Sequence, residues 1–183
     1  SRFGYSSFRL QQEAVISAVP QKKDTFVLMP TGGGKSLCYQ IPALVFDGLT
    51  VVISPLIALM KDQVDALRLN GIPAAFLNST QSSFEQDSIL QKVNSQELKL
   101  LYLAPESVFL KKISSFNVSL IAIDEAHCIS HWGHDFRPEY LQLAQLKRSM
   151  PDVPFIALTA TADSLTRKDI VEKLELRDPQ TFI

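Results

Sequence analysis

The chain has 183 residues, of which 46% are hydrophobic and 20% charged, with a formal net charge of -1. This length suits one compact domain spanning residues 1–183, and ordinary apolar content with little net charge excludes a disordered protein. The near balance of 18 basic and 19 acidic residues excludes nucleic-acid binding through overall positive charge. No apolar run approaches the ~20 residues of a membrane span, and the beginning of the chain lacks a signal-peptide pattern. We therefore expect a soluble, intracellular protein without a membrane partner.

Short apolar segments, rich in Val, Ile, Leu and Phe and bounded by turn-forming residues, predict buried strands. They are Thr25–Met29, Thr50–Ser54, Ala74–Leu77, Leu98–Leu103, Leu120–Asp124 and Phe155–Thr159. Residues 181–183 resemble the start of another strand. Strands that are apolar on both faces and separated by helices predict an α/β fold: a mainly parallel sheet with helices on both faces.

Three segments between or outside the strands have helical spacing. Apolar residues recur along 55–70, and Leu56, Leu59 and Met60 are expected to face the core. This helix is expected to open at Pro55 and to stop before Gly71. Residues 10–18 predict an earlier helix and residues 170–174 a final one.

A glycine-rich segment follows the first strand and ends in Lys-Ser. Successive glycines permit positive φ, so backbone N–H groups can surround a phosphate, and the following helix N-terminus adds partial positive charge. Lys35 can reach the β- and γ-phosphates, and the Ser36 hydroxyl can ligate Mg²⁺. The expected nucleotide contacts here are Thr31, Gly32, Gly33, Gly34, Lys35 and Ser36. The pattern departs from the general motif because Met29 replaces its first glycine, and the alternative is a turn whose lysine faces solvent.

Two adjacent carboxylates follow the strand at 120–124. Asp124 and Glu125 would lie at the carboxyl edge of the sheet, where open α/β sheets bind ligands. There Asp124 can hold Mg²⁺, and Glu125 can activate the attacking water. The alternative is a helix N-cap. Paired with the Gly-Lys-Ser segment, the acids favour nucleoside triphosphate hydrolysis.

Several motifs together resemble the RecQ family of DNA helicases. They lie at residues 5–12, 29–43, 54–63, 103–106, 124–127 and 157–162. The most specific is residues 128–140, CISHWGHDFRPEY, similar to the aromatic-rich loop of that family. The resemblance covers essentially the whole chain but only the first of two RecA-like motor lobes. It implies a RecA-like P-loop NTPase domain that uses ATP and Mg²⁺.

The resemblance also implies roles for individual residues. Tyr5, Arg9 and Gln12 would contact adenine, although spacing alone would make Gln12 a solvated helix residue. His127 would join Lys35, Asp124 and Glu125 as a catalytic residue. The remaining implied contacts are Ser54 and Lys61 with the DNA backbone, and Thr159 and Thr161 with His127 and the carboxylates. Thr161 has the alternative of capping the next helix.

Residues 130–140 interleave aromatic and basic side chains. Aromatic rings stack on unpaired bases, so Trp132, Phe136 and Arg137 are expected to bind single-stranded DNA. One alternative is that the aromatic rings pack into the domain. A second is a metal site, whose candidate ligands are His127, Cys128, His131, His134 and Asp135. His131 replaces the Gln common at this position in the family, and both cysteines are expected to be packing residues.

These observations predict the N-terminal lobe of an enzyme that couples ATP hydrolysis to 3′–5′ movement on single-stranded DNA and duplex unwinding. Its expected partners are single-stranded and duplex DNA, ATP and a second RecA-like lobe of the same polypeptide. The expected location is the bacterial cytoplasm, in association with the nucleoid. The alternatives are a DEAD/DEAH-type RNA helicase lobe and a non-catalytic ATP- or DNA-binding module. Competition between DNA and RNA strands separates the first alternative from the main hypothesis.

Overall fold

Seven strands form one parallel sheet in the computed structural model, which describes residues 23–30 and 34–183. The strands are β1 (Thr25–Leu28), β2 (Leu49–Ile53), β3 (Ala74–Leu77), β4 (Leu100–Leu103), β5 (Val118–Ile123), β6 (Phe155–Thr159) and β7 (Gln180–Phe182). Their order across the sheet is β3-β4-β2-β5-β6-β1-β7, and every pairing is parallel. The predicted α/β fold with a parallel sheet is therefore confirmed.

Helices connect the strands. They are α1 (Leu37–Val45), α2 (Ile57–Leu69), α3 (Ser83–Asn94), α4 (Ser107–Leu110), α5 (Leu143–Ser149) and α6 (Ser164–Lys173). Short 3₁₀ turns occur at Ile113–Ser115, Ala126–Ile129 and Pro138–Gln142. The helix predicted over residues 10–18 lies outside the described residues. No helix in the described part of the chain is long and apolar enough to cross a membrane.

Side-chain caps explain where two of these helices begin. Ser82 and Glu85 form a capping box at α3, in which the Ser82 Oγ accepts from the Glu85 N–H at 3.2 Å. At α6 the Asp163 carboxylate accepts from the Thr166 N–H at 2.8 Å. The cap of α6 is thus Asp163, and the alternative that Thr161 caps this helix is wrong.

The second helix differs from its predicted form at two points. It begins at Ile57, because the Ser54 Oγ accepts from the Leu56 N–H at 3.2 Å and holds the preceding residues in a turn. Met60 lies in the core, whereas Leu59 is 52% exposed, so the prediction of a buried Leu59 is wrong. Adjacent helical residues point about 100° apart, so Leu59 is rotated away from the face that Met60 buries.

The core has two layers, one on each face of the sheet. Alternate strand residues point to opposite faces. Phe26, Val51 and Ile121 pack on one face with residues of α3, α5 and α6, and Val27 and Val52 pack on the other with residues of α1 and α2. The strands other than the edge strand β7 are therefore largely buried on both sides, as their continuous apolar character predicts.

A buried ion pair joins four segments at the amino edge of the sheet. The Asp24 Oδ2 lies 2.8 Å from the Lys147 Nζ, and both side chains are 5% exposed. The same carboxylate accepts from the Phe155 N–H at 3.0 Å and from the Arg177 N–H at 2.8 Å. Asp24 thereby fixes the starts of β1 and β6 against α5 and the segment before β7.

Candidate nucleotide and nucleic-acid site

The carboxyl ends of the parallel strands meet at the opposite edge, and Lys35 and the two acids converge there. The Lys35 Nζ lies 3.6 Å from the Asp124 Oδ1 and 3.9 Å from the Glu125 Oε1. Lys35 follows β1 and the acids follow β5, with β6 lying between these two strands. The fold thus brings together residues that are 89 positions apart in sequence (124 − 35).

The Asp124 carboxylate lies in a place that favours a cation. Burial raises its pKa above the ordinary value, and the Lys35 ammonium only partly offsets this effect. The Glu125 N–H donates to the Asp124 Oδ1 at 2.9 Å, and the Tyr140 hydroxyl donates to the Asp124 carbonyl at 2.8 Å. The side chain and the main chain of Asp124 are therefore both held, and a second positive charge nearby would stabilise its ionised form.

Glu125 has a left-handed backbone conformation, with a φ of 53°. This conformation costs a non-glycine residue roughly 1–2 kcal/mol. It turns the chain out of β5 and into the 3₁₀ turn at Ala126–Ile129. The turn places the Glu125 carboxylate beside Lys35 on one side and His127 on the other.

His127 is buried and hydrogen-bonded to the end of β6, the strand that lies between β1 and β5. Its Nδ1 lies 2.8 Å from the Thr159 Oγ1, and the Thr159 hydroxyl donates to the Thr161 carbonyl at 3.1 Å. Because this hydroxyl has one proton, its oxygen accepts from His127, so Nδ1 carries the hydrogen. Burial, followed by the neighbouring His134 ring, lowers the pKa of His127 to about 4. At neutral pH the 3.5 Å contact between the His127 Nε2 and Glu125 is therefore not an ion pair.

Acidification is expected to destabilise the fold through His127. An imidazole in the unfolded chain titrates near pH 6.5, whereas His127 in the folded chain has a pKa of about 4. Between these values the unfolded state binds a proton that the folded state does not. The free energy of unfolding should thus be fully present above about pH 6.5 and fall as the pH drops towards 4.

Urea denaturation of the wild type and of His127→Asn between about pH 7 and pH 5 measures this effect. The variant should show the smaller loss of stability on acidification. Equal pH slopes in the two proteins would contradict the shifted pKa.

Residues 130–140, here called the aromatic segment, follow the 3₁₀ turn directly. Trp132 is 65% exposed, so the alternative that it packs into the core is wrong. Phe136 is half-buried and stacks on the His131 ring at a centroid distance of 3.7 Å. The Arg137 guanidinium donates to the Asp135 Oδ2 at 3.2 and 3.3 Å. The segment therefore presents an aromatic ring and a guanidinium at the surface, the two groups that bind unpaired bases and phosphate.

The aromatic segment packs directly on the turn that holds His127. The His134 ring stacks on the His127 ring at a centroid distance of 4.4 Å, and its Nδ1 lies 3.5 Å from the Thr161 Oγ1. A Cβ on Gly133 would lie 2.7 Å from the His127 carbonyl oxygen, which is too close for any side chain. The aromatic segment is thus in direct contact with the turn that follows the acidic motif, Asp124 and Glu125, through the stacked imidazole rings and the Gly133 backbone.

A group of three potential metal ligands lies within the same region. Ligand atoms of His127, Cys128 and Asp135 lie within 4.8 Å of one another. Burial raises the pKa of Cys128 to about 12, and Arg137 already occupies the Asp135 carboxylate. The Asp135 carboxylate is already paired with Arg137, and the group has three ligands where a structural metal site normally has four, so it favours packing over a metal centre. Cys38 is also buried and uncrosslinked, in agreement with a packing role.

The structure places the remaining candidate residues as follows. Gly34 has a φ of 76°, which suits a phosphate-binding turn, and Ser36 precedes α1. Ser54 is buried at the end of β2, and Lys61 is exposed on α2. The predicted contacts that lie outside the described residues are Tyr5, Arg9, Gln12, Thr31, Gly32 and Gly33.

Two side chains of this neighbourhood were not identified from the sequence. Tyr140 holds the Asp124 carbonyl, and Asp169 on α6 accepts from the Ser130 hydroxyl at 2.6 Å. Tyr140 ends the predicted aromatic segment, and Asp169 directly precedes the helix predicted at residues 170–174. Nothing in the local pattern distinguishes either from an ordinary helix or turn residue, because both contacts depend on tertiary packing.

Comparison with known proteins identifies the same class of domain. The family described as DEAD/DEAH box helicase matches residues 9–170. The chain is 60% identical over 185 aligned residues to the ATP-dependent DNA helicase RecQ of Pasteurella multocida, covering 99% of this chain and 29% of that protein. It is 50% identical to the RecQ helicase of Bacillus subtilis, covering 98% of this chain and 31% of that protein. The resemblance to RecQ helicases is thus confirmed, although the chain spans only about a third of the length of these relatives.

A solved structure shows the same fold. The DUF1998 helicase MrfA, crystallised with DNA and AMPPNP, superposes with a TM-score of 0.76 at 21% identity, covering 100% of this chain and 29% of that chain. At this level of identity the likeness supports the RecA-like helicase fold alone.

Proposed function

Because this chain belongs to the DEAD/DEAH box helicase family, we propose that it is the N-terminal ATP-binding lobe of a RecQ-type DNA helicase. The observation that supports this most directly is the contact of Lys35 with Asp124 and Glu125 at 3.6 and 3.9 Å. A phosphate-binding lysine beside paired acids at one edge of a parallel sheet is the arrangement that hydrolysis of a nucleoside triphosphate requires. The RecQ relatives, which are named as DNA helicases, favour DNA as the polymer.

The residues at this edge have separate tasks in the proposed reaction. Lys35 and the backbone around Gly34 bind the phosphates. Ser36 and Asp124 supply the oxygen ligands that Mg²⁺ prefers, and the buried Asp124 carboxylate fits a divalent cation. Mg²⁺ would neutralise charge on the phosphate oxygens. Glu125 would orient and deprotonate the attacking water. His127, neutral and held through its Nδ1 by Thr159, would lie beside this carboxylate and help to shape the site.

The proposed DNA contacts lie in the aromatic segment and near α2. Trp132 and Phe136 would stack on unpaired bases, and Arg137 would contact phosphate. Exposure of the indole and its continuity with the His127 turn support this assignment. Lys61 would contact the DNA backbone directly through its ammonium group. The buried Ser54 would contribute to the same contact by holding the turn before α2 with its hydroxyl.

The rest of the proposed mechanism follows from the resemblance to RecQ helicases. Tyr5, Arg9 and Gln12 would bind adenine. A second RecA-like lobe would close the cleft and supply an arginine finger, and the two lobes would move 3′ to 5′ along single-stranded DNA and unwind duplexes. Such a protein would act in the cytoplasm, on the nucleoid of a bacterial cell.

The 183-residue chain alone is expected to bind ATP weakly and to unwind nothing. The missing arginine finger contributes roughly 10³–10⁵ to the rate in other NTPases. Steady-state ATPase assays with and without single-stranded DNA, on this chain and on the two-lobed enzyme, measure the difference. Fast DNA-stimulated turnover by the chain alone would contradict the proposed division of labour.

Competition experiments distinguish the polymer. In the two-lobed enzyme, single-stranded DNA should stimulate ATP hydrolysis and displace a labelled DNA more effectively than RNA of the same sequence. Preference for RNA would favour an RNA helicase lobe. Absence of hydrolysis with either polymer would favour a non-catalytic binding module.

A further inference from the structure

We propose that Asp169 on α6 is a positioning residue that prepares the aromatic segment for single-stranded DNA. It would act through Ser130 and make no contact with DNA itself. This inference rests on the proposed role of the aromatic segment in DNA binding. Asp169 lies on α6, outside both the acidic motif and the aromatic segment.

The main support for this role is a pair of linked hydrogen bonds at the start of the aromatic segment. The Ser130 hydroxyl, which is fully buried, donates to the Asp169 Oδ2 at 2.6 Å. The same Oγ accepts from the Trp132 N–H at 3.1 Å. The Gly133 N–H also donates to the Ser130 carbonyl, at 3.2 Å. Ser130 therefore holds the first turn of the segment, and Asp169 holds Ser130.

The direction of these bonds makes Asp169 necessary for the arrangement. A serine hydroxyl has one proton and two lone pairs. A carboxylate acceptor fixes where that proton points, so the lone pairs of the Ser130 Oγ are left for the Trp132 N–H. Hydrogen bonds to an ionised carboxylate are shorter and stronger than neutral ones, in agreement with the 2.6 Å distance. Without Asp169 the hydroxyl can rotate, and the backbone of Trp132 loses its fixed acceptor.

The location of Asp169 adds a second connection. Helix α6 begins at Ser164, just after Thr161, whose hydroxyl lies 3.5 Å from the His134 ring in the aromatic segment. The segment is therefore held at its start and near its middle by the part of the chain that follows β6. A segment held in its binding conformation loses less conformational freedom when it binds DNA, so its affinity is higher.

The test compares Asp169→Ala with Glu172→Ala, which removes the same charge from an exposed position of the same helix. In the two-lobed enzyme, Asp169→Ala should raise the DNA concentration that gives half-maximal ATPase stimulation by about tenfold, the usual effect of losing one charge-assisted hydrogen bond. The DNA-free rate and the KM for ATP should stay unchanged. Glu172→Ala should behave as the wild type.

Fluorescence of the 183-residue chain gives an independent measure, because Trp132 is its only tryptophan. Asp169→Ala should lower the anisotropy of Trp132 in the absence of DNA, and Asp169→Asn, which keeps an acceptor oxygen, should restore part of it. Ser130→Ala combined with Asp169→Ala should be no worse than Ser130→Ala alone, because both changes break the same connection.

The outcomes separate this inference from the proposed function. A wild-type enzyme whose ATPase does not respond to single-stranded DNA would overturn the proposed function. A responsive wild type in which Asp169→Ala and Glu172→Ala behave alike would overturn only the role of Asp169. The role of Asp169 would also be overturned if Asp169→Asn lost both its affinity for ATP and its stimulation by DNA, because general misfolding would then explain the effect.

Discussion

Replacing Glu125 with glutamine should lower kcat for DNA-stimulated ATP hydrolysis by roughly 10²–10⁴-fold, the range expected on loss of a general base. Glutamine has nearly the same shape as glutamate but cannot take a proton from water. Lys35 retains its contact with Asp124 at 3.6 Å, so nucleotide binding should change little. Steady-state kinetics of the two-lobed enzyme, with a separate measurement of ATP affinity, give both quantities.

The matched control for this prediction is Glu97→Gln, an identical chemical change at an exposed residue far from the acidic motif in sequence. It should leave kcat and ATP affinity unchanged. If Glu125→Gln kept kcat within a few fold of the wild type, another group would have to activate the water, and the catalytic assignment of Glu125 would be wrong.

Replacing Asp24 with asparagine should destabilise the 183-residue chain by about 3–5 kcal/mol, the usual cost of breaking a buried ion pair. Lys147, which is 5% exposed, would be left with a buried charge and no anion. The N–H groups of Phe155 and Arg177 would compete for a weaker acceptor. Urea denaturation at neutral pH, analysed by linear extrapolation, measures the loss of stability.

Two further variants interpret that result. Arg148→Gln breaks an ion pair with Glu175 that lies in solvent, and it should leave the denaturation midpoint almost unchanged. The double variant Asp24→Asn/Lys147→Met removes both buried charges and should recover part of the stability lost in Asp24→Asn. Equal midpoints for Asp24→Asn and Arg148→Gln would show that the buried pair contributes no more than the exposed one.

The presence of a parallel sheet, although not the order of its strands, could be predicted because most of its strands are apolar on both faces. Runs such as 120–124 and 155–159 need no tertiary information to be recognised as buried strands. The first residue of a helix and the face that it buries were harder to predict. The Ser54 hydroxyl delays the start of α2, and Leu59 lies outside the face that Met60 defines. A hydrogen bond made by one side chain outweighed the preference of proline for a first helical turn.

The candidate site could be predicted in its parts but not in its connections. Lys35, Asp124 and Glu125 were recognisable because the Gly-Lys-Ser segment and the paired acids each lie in the connection after a strand, and the ends of parallel strands share an edge. The support given by Tyr140 and Asp169 could not be predicted, because it joins elements whose mutual position only packing determines. The buried pair of Asp24 and Lys147, 123 residues apart (147 − 24), was inaccessible for the same reason.

The close approach of Gly133 to the His127 carbonyl limits how this region can diversify. At 2.7 Å from the oxygen to a built Cβ, only a hydrogen atom fits, so position 133 tolerates no alternative residue without moving the main chain. The neighbouring positions 131, 132 and 134 are exposed. Substitutions at these exposed positions can therefore alter the side chains presented to a ligand, whereas residue 133 must stay glycine for the backbone to keep its place against His127.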